Sequence, residues 1–246
     1  MMDIASLVAA TVIVLFAGFT QGLTSMGFSL ISVPLLSRIV PLSQAVPAVV
    51  ILSLCTNIMI IRTSYRFVRI GRIWPLVIAS LIAAPVGAAL LVRIDAVILK
   101  IVVGTIIAGF SALLLAGKTF PVRNETFACI PVGVLSGLLN GSISMSGPPV
   151  ALFLSNQQAD KHTFRANITL YAIVLNVITI ISYVFHDLMT RELATLTLFL
   201  VPAMFLGVAI GIYATKIVKE PVFRKIILVL IAVSGIWTVY DSVIGL

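Results

Sequence analysis

Two short stretches hold the side chains and backbone that could do chemistry. "GFTQGLTSMGFSLISVP" starts at Gly18 and "GVLSGLLNGSISMSGPP" starts at Gly133. Both set glycines, hydroxyls and amides into an otherwise apolar chain, and the second closes on Pro148-Pro149. Each proline removes a backbone donor, and Pro148 disfavours helix at Gly147. A helix interrupted in this way exposes unpaired N–H groups at the start of its second half, and such groups attract an anion. The candidate ligands are Gln21, Thr24, Ser25, Met26 and Gly27 in the first stretch. In the second they are Asn140, Ser144, Met145, Ser146 and Gly147. The chemistry on offer is recognition of a small anion by amides and hydroxyls.

Three further groups have two readings each. Gly18/Gly22 and Gly133/Gly137 fit close helix packing at four-residue spacing as well as a ligand site. Asn57 and Asn176 are either interhelical hydrogen-bonding groups or part of a shared site. Arg165, in "TFRANITLY", is either an ordinary topology charge or a guanidinium facing an anionic substrate.

The elements that must position these residues are membrane spans. The 246 residues are 61% hydrophobic and 10% charged, against about a quarter charged in soluble domains. Apolar blocks run 4–36, 41–61, 73–92, 96–117, 126–155, 163–185, 193–215 and 222–244. Roughly 20 residues cross a bilayer core, so the chain is a polytopic, all-α membrane protein. No stretch is left for a sizeable soluble domain. The opening "MMDIASLVAATVIVLFAG" lacks a basic start and is expected to belong to the mature protein. The net charge of +8 comes from Lys and Arg mostly in connecting loops, where they orient spans and do not bind nucleic acid. Cys55 and Cys129 lie in apolar stretches and are expected to be packing residues. No metal or cofactor is expected.

The first and fifth blocks are long and interrupted, and they are related. Ser25-Met26-Gly27 has a counterpart in Ser144-Met145-Ser146-Gly147. Asn57 and Asn176 follow at nearly equal distances, and each interrupted block is followed by three spans. Gly18 and Gly22 recur in spacing as Gly133 and Gly137, so the chain divides into two copies, 1–118 and 119–246, about 115 residues apart. If all eight blocks cross, the basic residues split nine to seven between the two sides. If the interrupted blocks are re-entrant hairpins, they split twelve to four. The second split is what the positive-inside rule expects, and it puts both termini outside. A hairpin plus three spans is an odd number of crossings, so the copies would be inverted repeats meeting near the midplane.

The eight acidic residues lie in loops or near block ends, as do His162 and His186. No carboxylate or histidine is embedded for proton coupling. The cavity should be neutral to positive, and an inside-negative potential favours anion efflux by roughly 2.3 kcal/mol per charge per 100 mV. A passive anion channel is the alternative. An intramembrane thiol-redox protein is a third reading, against which the lack of a Cys-x-x-Cys pair counts.

The paired motifs at 18–36 and 133–154, with "FRAN" at 164–167 and "LGVAIG" at 206–211, resemble the TauE/SafE family of membrane permeases. Thr24, Ser25 and Met26 stand where the first signature is often richer in glycine. The resemblance implies a multi-pass inner-membrane permease, not an enzyme. It also implies that the chain exports sulfite, an organosulfonate such as sulfoacetate, or a related sulfur-containing or carboxylate anion. The expected partners are that anion and the lipid bilayer, and a homodimer is compatible with the sequence.

Overall fold

The computed structural model describes residues 4–69, 71, 73–93, 105, 108–109, 111–117 and 125–244. Its helices are α1 (Ile4–Thr24), α2 (Phe28–Leu36), α3 (Leu42–Ser64), α4 (Trp74–Arg93) and α5 (Glu125–Ile143). They continue as α6 (Gly147–Asn156), α7 (Lys161–Phe185), α8 (Arg191–Ile217) and α9 (Glu220–Ile244), and a 3-10 turn spans Tyr65–Phe67. Among the described residues there is no strand. Of the expected span 96–117, most lies outside the described residues, and 111–115 are helical.

Among the described residues, four helices are long and apolar enough to cross a bilayer: α1, α3 with its 3-10 extension, α7 and α8. The protein is therefore a multi-pass membrane protein. Its apolar side chains face outward as well as inward. Ile4, Val8, Val12 and Phe16 recur every fourth residue on α1 and are all exposed. Such a stripe is lipid-facing, because lipid tails solvate it as well as a core would. The polar side chains turn inward instead: Gln21, Asn57, Asn140 and Asn176 are each at most 3% exposed.

Both interrupted blocks break into two helices, and both breaks are three residues long: 25–27 and 144–146. The spacing is constant at 119 positions, from 25 to 144, from 28 to 147 for the following helix, and from 42 to 161 for the next. In this register Gln21 corresponds to Asn140, Asn57 to Asn176, and Gly18/Gly22 to Gly137/Gly141. The glycine pairing with Gly133/Gly137 was thus displaced by one turn. It matched four-residue spacing, which repeats along a helix and cannot fix the register.

Helix pairing is crossed between the halves of the chain. α1 packs along α8, and α5 packs along α4. Glycine makes both contacts possible. A Cβ on Gly207 would lie 2.1 Å from the Leu15 carbonyl oxygen, and one on Gly211 would lie 2.1 Å from that of Phe19. In the other pair, a Cβ on Gly141 would lie 2.3 Å from the Ala84 oxygen, and one on Gly87 would lie 2.3 Å from that of Leu138. Backbones this close leave no room for any side chain, as in small-residue packing of membrane helices. The packing reading therefore holds for Gly18, Gly22, Gly133 and Gly137, each of which faces backbone of its partner helix.

Between these two pairs, α3 packs against α7. Asp160 starts α7 by accepting hydrogen bonds from the backbone N–H of His162 (3.1 Å) and Thr163 (3.0 Å). Partial burial works to raise the Asp160 carboxyl pKa, but the bonds from Thr163 and His162 outweigh it and hold it below the usual value. His162 is not a loop residue: it lies in the first turn of α7, stacked on Phe67 with ring centroids 4.7 Å apart. Several basic side chains serve helix ends. Lys161 Nζ donates to the carbonyls of Thr215 and Val218 at the end of α8, both at 2.6 Å. Arg224 donates to the Ser155 carbonyl at the end of α6. Cations there complement the negative end of the helix dipole.

Candidate functional site

The break after α1 turns through two left-handed residues, Ser25 (φ 63°) and Gly27 (φ 110°). Gln21 braces it. Its Oε1 accepts from the Phe28 N–H at 3.0 Å, across the break, while its Nε2 donates to Asn57 Oδ1 at 2.9 Å. Thr24 Oγ1 bonds the Thr20 carbonyl at 2.8 Å and lies against the backbone of Met26. Ser25 Oγ is buried and has no hydrogen-bond partner.

The break after α5 turns at Ser144 (φ 58°). Here the brace comes from other residues. Ser136 Oγ donates to the Ser146 carbonyl at 2.7 Å and itself accepts from Tyr171 Oη at 2.6 Å. Pro148 and Pro149 stand in the opening turn of α6, and Gly147 is itself helical, contrary to the sequence expectation. The first turn of a helix has no use for these N–H groups, so prolines start it easily. They also subtract donors from it. The second break is accordingly poorer in backbone N–H groups than the first, where Ser29 and Leu30 follow Phe28 without an intrahelical acceptor.

The start of α6 comes close to the first break. A Cβ on Gly147 would lie 3.5 Å from Met26 Cβ and 3.6 Å from Met26 Cε, which puts the start of α6 against the first break. A chain of side-chain hydrogen bonds crosses between the halves beside this contact. From Gln21 it runs to Asn57, whose Nδ2 is 3.3 Å from Ser53 Oγ. Asn176 Nδ2 donates to the same Ser53 Oγ at 3.2 Å, and its Oδ1 accepts from Asn140 Nδ2 at 3.3 Å. Asn140 ends the chain on Thr179 Oγ1 at 2.8 Å. Both readings of the asparagines are thus present in one arrangement: they bond between helices, and they lie beside both breaks. Met145 and Ser146 are each 8% exposed and lie at the second break.

Arg165 is neither an ordinary loop charge nor in contact with this chain. It is 4% exposed, and among the described residues it is the one buried charged side chain. Its Nη1 donates to the carbonyls of Gly22 (2.9 Å) and Leu23 (2.7 Å) and to Thr215 Oγ1 (3.1 Å). It therefore closes the last turn of α1. At the corresponding turn of α5, a phenol does this work: Tyr183 Oη donates to the Gly141 carbonyl at 2.7 Å and is 3.4 Å from that of Asn140. Arg38, by contrast, is exposed, with its guanidinium 5.9 Å from the Trp237 ring centroid.

Sequence reasoning missed Ser53, Ser136, Tyr171, Thr179, Tyr183 and Thr215. Two of them carried a signal. Ser53 lies four residues before Asn57 and Thr179 three after Asn176, spacings that share a helix face. The tyrosines gave none, because an aromatic residue in a span is ordinary. Cys55 is half-buried, Cys129 is buried, and neither forms a disulfide among the described residues. Among the described residues no cluster of His, Cys, Asp or Glu could hold a metal ion.

A family model described as "Sulfite exporter TauE/SafE" matches residues 10–238, nearly the whole chain. The chain belongs to the TauE/SafE family. Its members are transporters, not enzymes, and TauE/SafE membership implies an exporter-type carrier of sulfite or a related sulfur anion. No curated protein and no solved structure matches the chain. Both TauE/SafE signatures fall on the helix breaks, and "LGVAIG" contributes the glycines that let α8 approach α1.

Proposed function

We propose that the protein exports a small sulfur-containing anion (sulfite, sulfoacetate or a related sulfonate) as a secondary transporter or facilitator. The anion binds where the two breaks meet, between residues 24–27 and 144–147, with Gln21, Asn57, Asn140 and Asn176 as the polar wall. The observation that carries this reading is the contact of Gly147 with Met26 beside a continuous amide and hydroxyl chain in a sulfite-exporter family protein. Non-helical backbone at membrane depth is tolerated where protein buries it or a polar cavity solvates it. Among the described residues no carboxylate is buried, so the wall repels no anion.

The two units, 1–118 and 119–246, act as inverted repeats, each a re-entrant broken hairpin followed by three spans, with both termini outside. Constant 119-residue spacing of the breaks supports the repeat, and the twelve-to-four charge split supports the orientation. α1 alone has 21 residues, enough to reach across a bilayer core, so the depth of the first hairpin is the point to test. Single cysteines at positions 2 and 38 labelled from outside and inside decide it: one and the same side for both is expected of a hairpin, opposite sides of a crossing.

The test of function is a thermal-shift screen of the purified protein against sulfite, sulfate, thiosulfate, sulfoacetate, taurine, isethionate, acetate and malonate. An anion at 100 times its dissociation constant stabilises the fold by roughly 2.7 kcal/mol. Selective stabilisation by sulfite or sulfonates is expected, and it is expected to weaken in Asn176→Ala and in Ser146→Leu. Wild-type binding by well-folded forms of both variants would sink this site. Stabilisation by carboxylates alone would move the substrate, and saturable flux in vesicles separates a carrier from a channel.

A further inference from the structure

Arg165 raises a question that capping does not answer. All three of its hydrogen bonds leave from Nη1. Nε and Nη2, with three N–H groups between them, donate to nothing among the described residues, although the side chain is 4% exposed. Its acceptors are two carbonyls and a hydroxyl, so no carboxylate balances the charge. A largely buried guanidinium with three of its five N–H groups unused is costly unless a partner pairs with it. One turn further along α7, on the same face, Thr169 is fully buried and its Oγ1 has no hydrogen-bond partner.

The unused Nε–Nη2 edge is the fork that binds two oxygens of a planar or tetrahedral oxyanion side by side. We propose that this edge, together with the Thr169 hydroxyl, is a second oxyanion subsite for a singly charged sulfonate-type anion. Arg165 and Asn176 are 11 residues apart on α7, about 16 Å along the helix axis. The subsite is therefore well removed from the Asn140–Asn176 end of the wall. It lies near the start of α7, at the level of the basic loop residues. Lys161 lies within electrostatic reach of Arg165 and Glu220 within reach of Lys161, so the three sum to one positive charge, which favours a sulfonate over a dianion such as sulfate. Neither Nε nor Nη2 is among the buried polar atoms left without a partner, so the edge borders open space. Because Nη1 stays on Gly22 and Leu23, an anion here also meets the end of α1 and the first break.

This inference rests on the anion-carrier reading, and its test separates the two. Methanesulfonate, which carries one charge at all working pH values, is titrated into the full-length protein in nanodiscs by calorimetry. Wild type is expected to bind two per chain, and Arg165→Lys one, because a lysine keeps the charge but not the fork. Thr169→Val, which keeps shape and removes only the hydroxyl, is expected to weaken the second event about tenfold. It serves as the decisive variant if Arg165→Lys does not fold. One methanesulfonate per chain in wild type, unchanged in either variant, overturns the subsite and leaves the carrier reading intact. No binding by wild type removes the carrier reading and the subsite together.

Discussion

The two breaks have the same length, the same left-handed serine and the same place in the order of helices, yet they are finished differently. The carbonyl end of α1 is held by a buried charge from Arg165, and that of α5 by the neutral phenol of Tyr183. Both side chains come from α7, one near its start and one near its end. The helix after the first break begins with Phe28, Ser29 and Leu30, all with N–H groups, while the helix after the second begins with Gly-Pro-Pro. One break thus concentrates donors and positive charge, and the other is trimmed of both. The two breaks share a backbone geometry, and the electrostatics are placed at one of them.

That difference can be broken at several levels. The largest effect is expected where the two halves are alike. Gly211→Val and Gly141→Val each push a side chain into a partner backbone with no slack, a cost of about 3 kcal/mol or more. Both should appear as loss of folded protein by size-exclusion chromatography, and a well-folded, wild-type-like melt for either would show that the crossed helix pairs can slide. Next come the two cap residues, where the halves differ. Arg165→Gln loses charge-assisted bonds worth about 2 kcal/mol, whereas Tyr183→Phe loses a neutral one worth about 1 kcal/mol. The melting temperature should fall more for the first, and only the first should impair anion flux in vesicles. Equal flux defects would mean that both caps act through structure alone.

The smallest effect sharpens the comparison most. Ser25 and Ser144 both adopt positive φ, where glycine sits without strain. Ser25→Gly and Ser144→Gly should each stabilise the backbone by up to about 1 kcal/mol. They should part company on binding, because Ser25 Oγ has no protein partner and belongs to the first break. Anion affinity is expected to fall for both, and further for Ser25→Gly. Wild-type affinity in Ser25→Gly would remove Ser25 from the wall.

How much of this was open to reading follows from what kind of information each feature carries. The spans were legible because bilayer thickness imposes a length on apolar runs, and the helices over 42–64, 74–93, 161–185, 191–217 and 220–244 start and end within a few residues of the expected blocks. The breaks were legible because glycine, serine and proline are out of place in a span. Gln21, Asn57, Asn140 and Asn176 could be singled out by type, but not their joining through Ser53, which depends on how α3 crosses α7. The register of the two halves was obscured by glycines that recur every turn for packing. The effect of Pro148-Pro149 was half legible: the composition shows a break, and only the backbone shows that the prolines open the next helix. The capping of α1 by Arg165 could not be read, since its acceptors are backbone carbonyls 142 and 143 positions earlier in the chain.

The crossed pairing of α1 with α8 also sets a timetable for biogenesis. The glycine seam of α1 meets its partner at Gly207 and Gly211, close to 190 positions further on. At about 5–20 residues per second of synthesis, α1 is inserted roughly 10 to 40 seconds before that partner leaves the ribosome. The α4–α5 seam waits for far less chain. During the interval α1 must sit in the bilayer, or beside the insertion machinery, with its glycine seam uncovered and the Gly22 and Leu23 carbonyls still waiting for Arg165 and Thr215. A nascent chain stalled after α7 should therefore be the species most readily captured by membrane quality control.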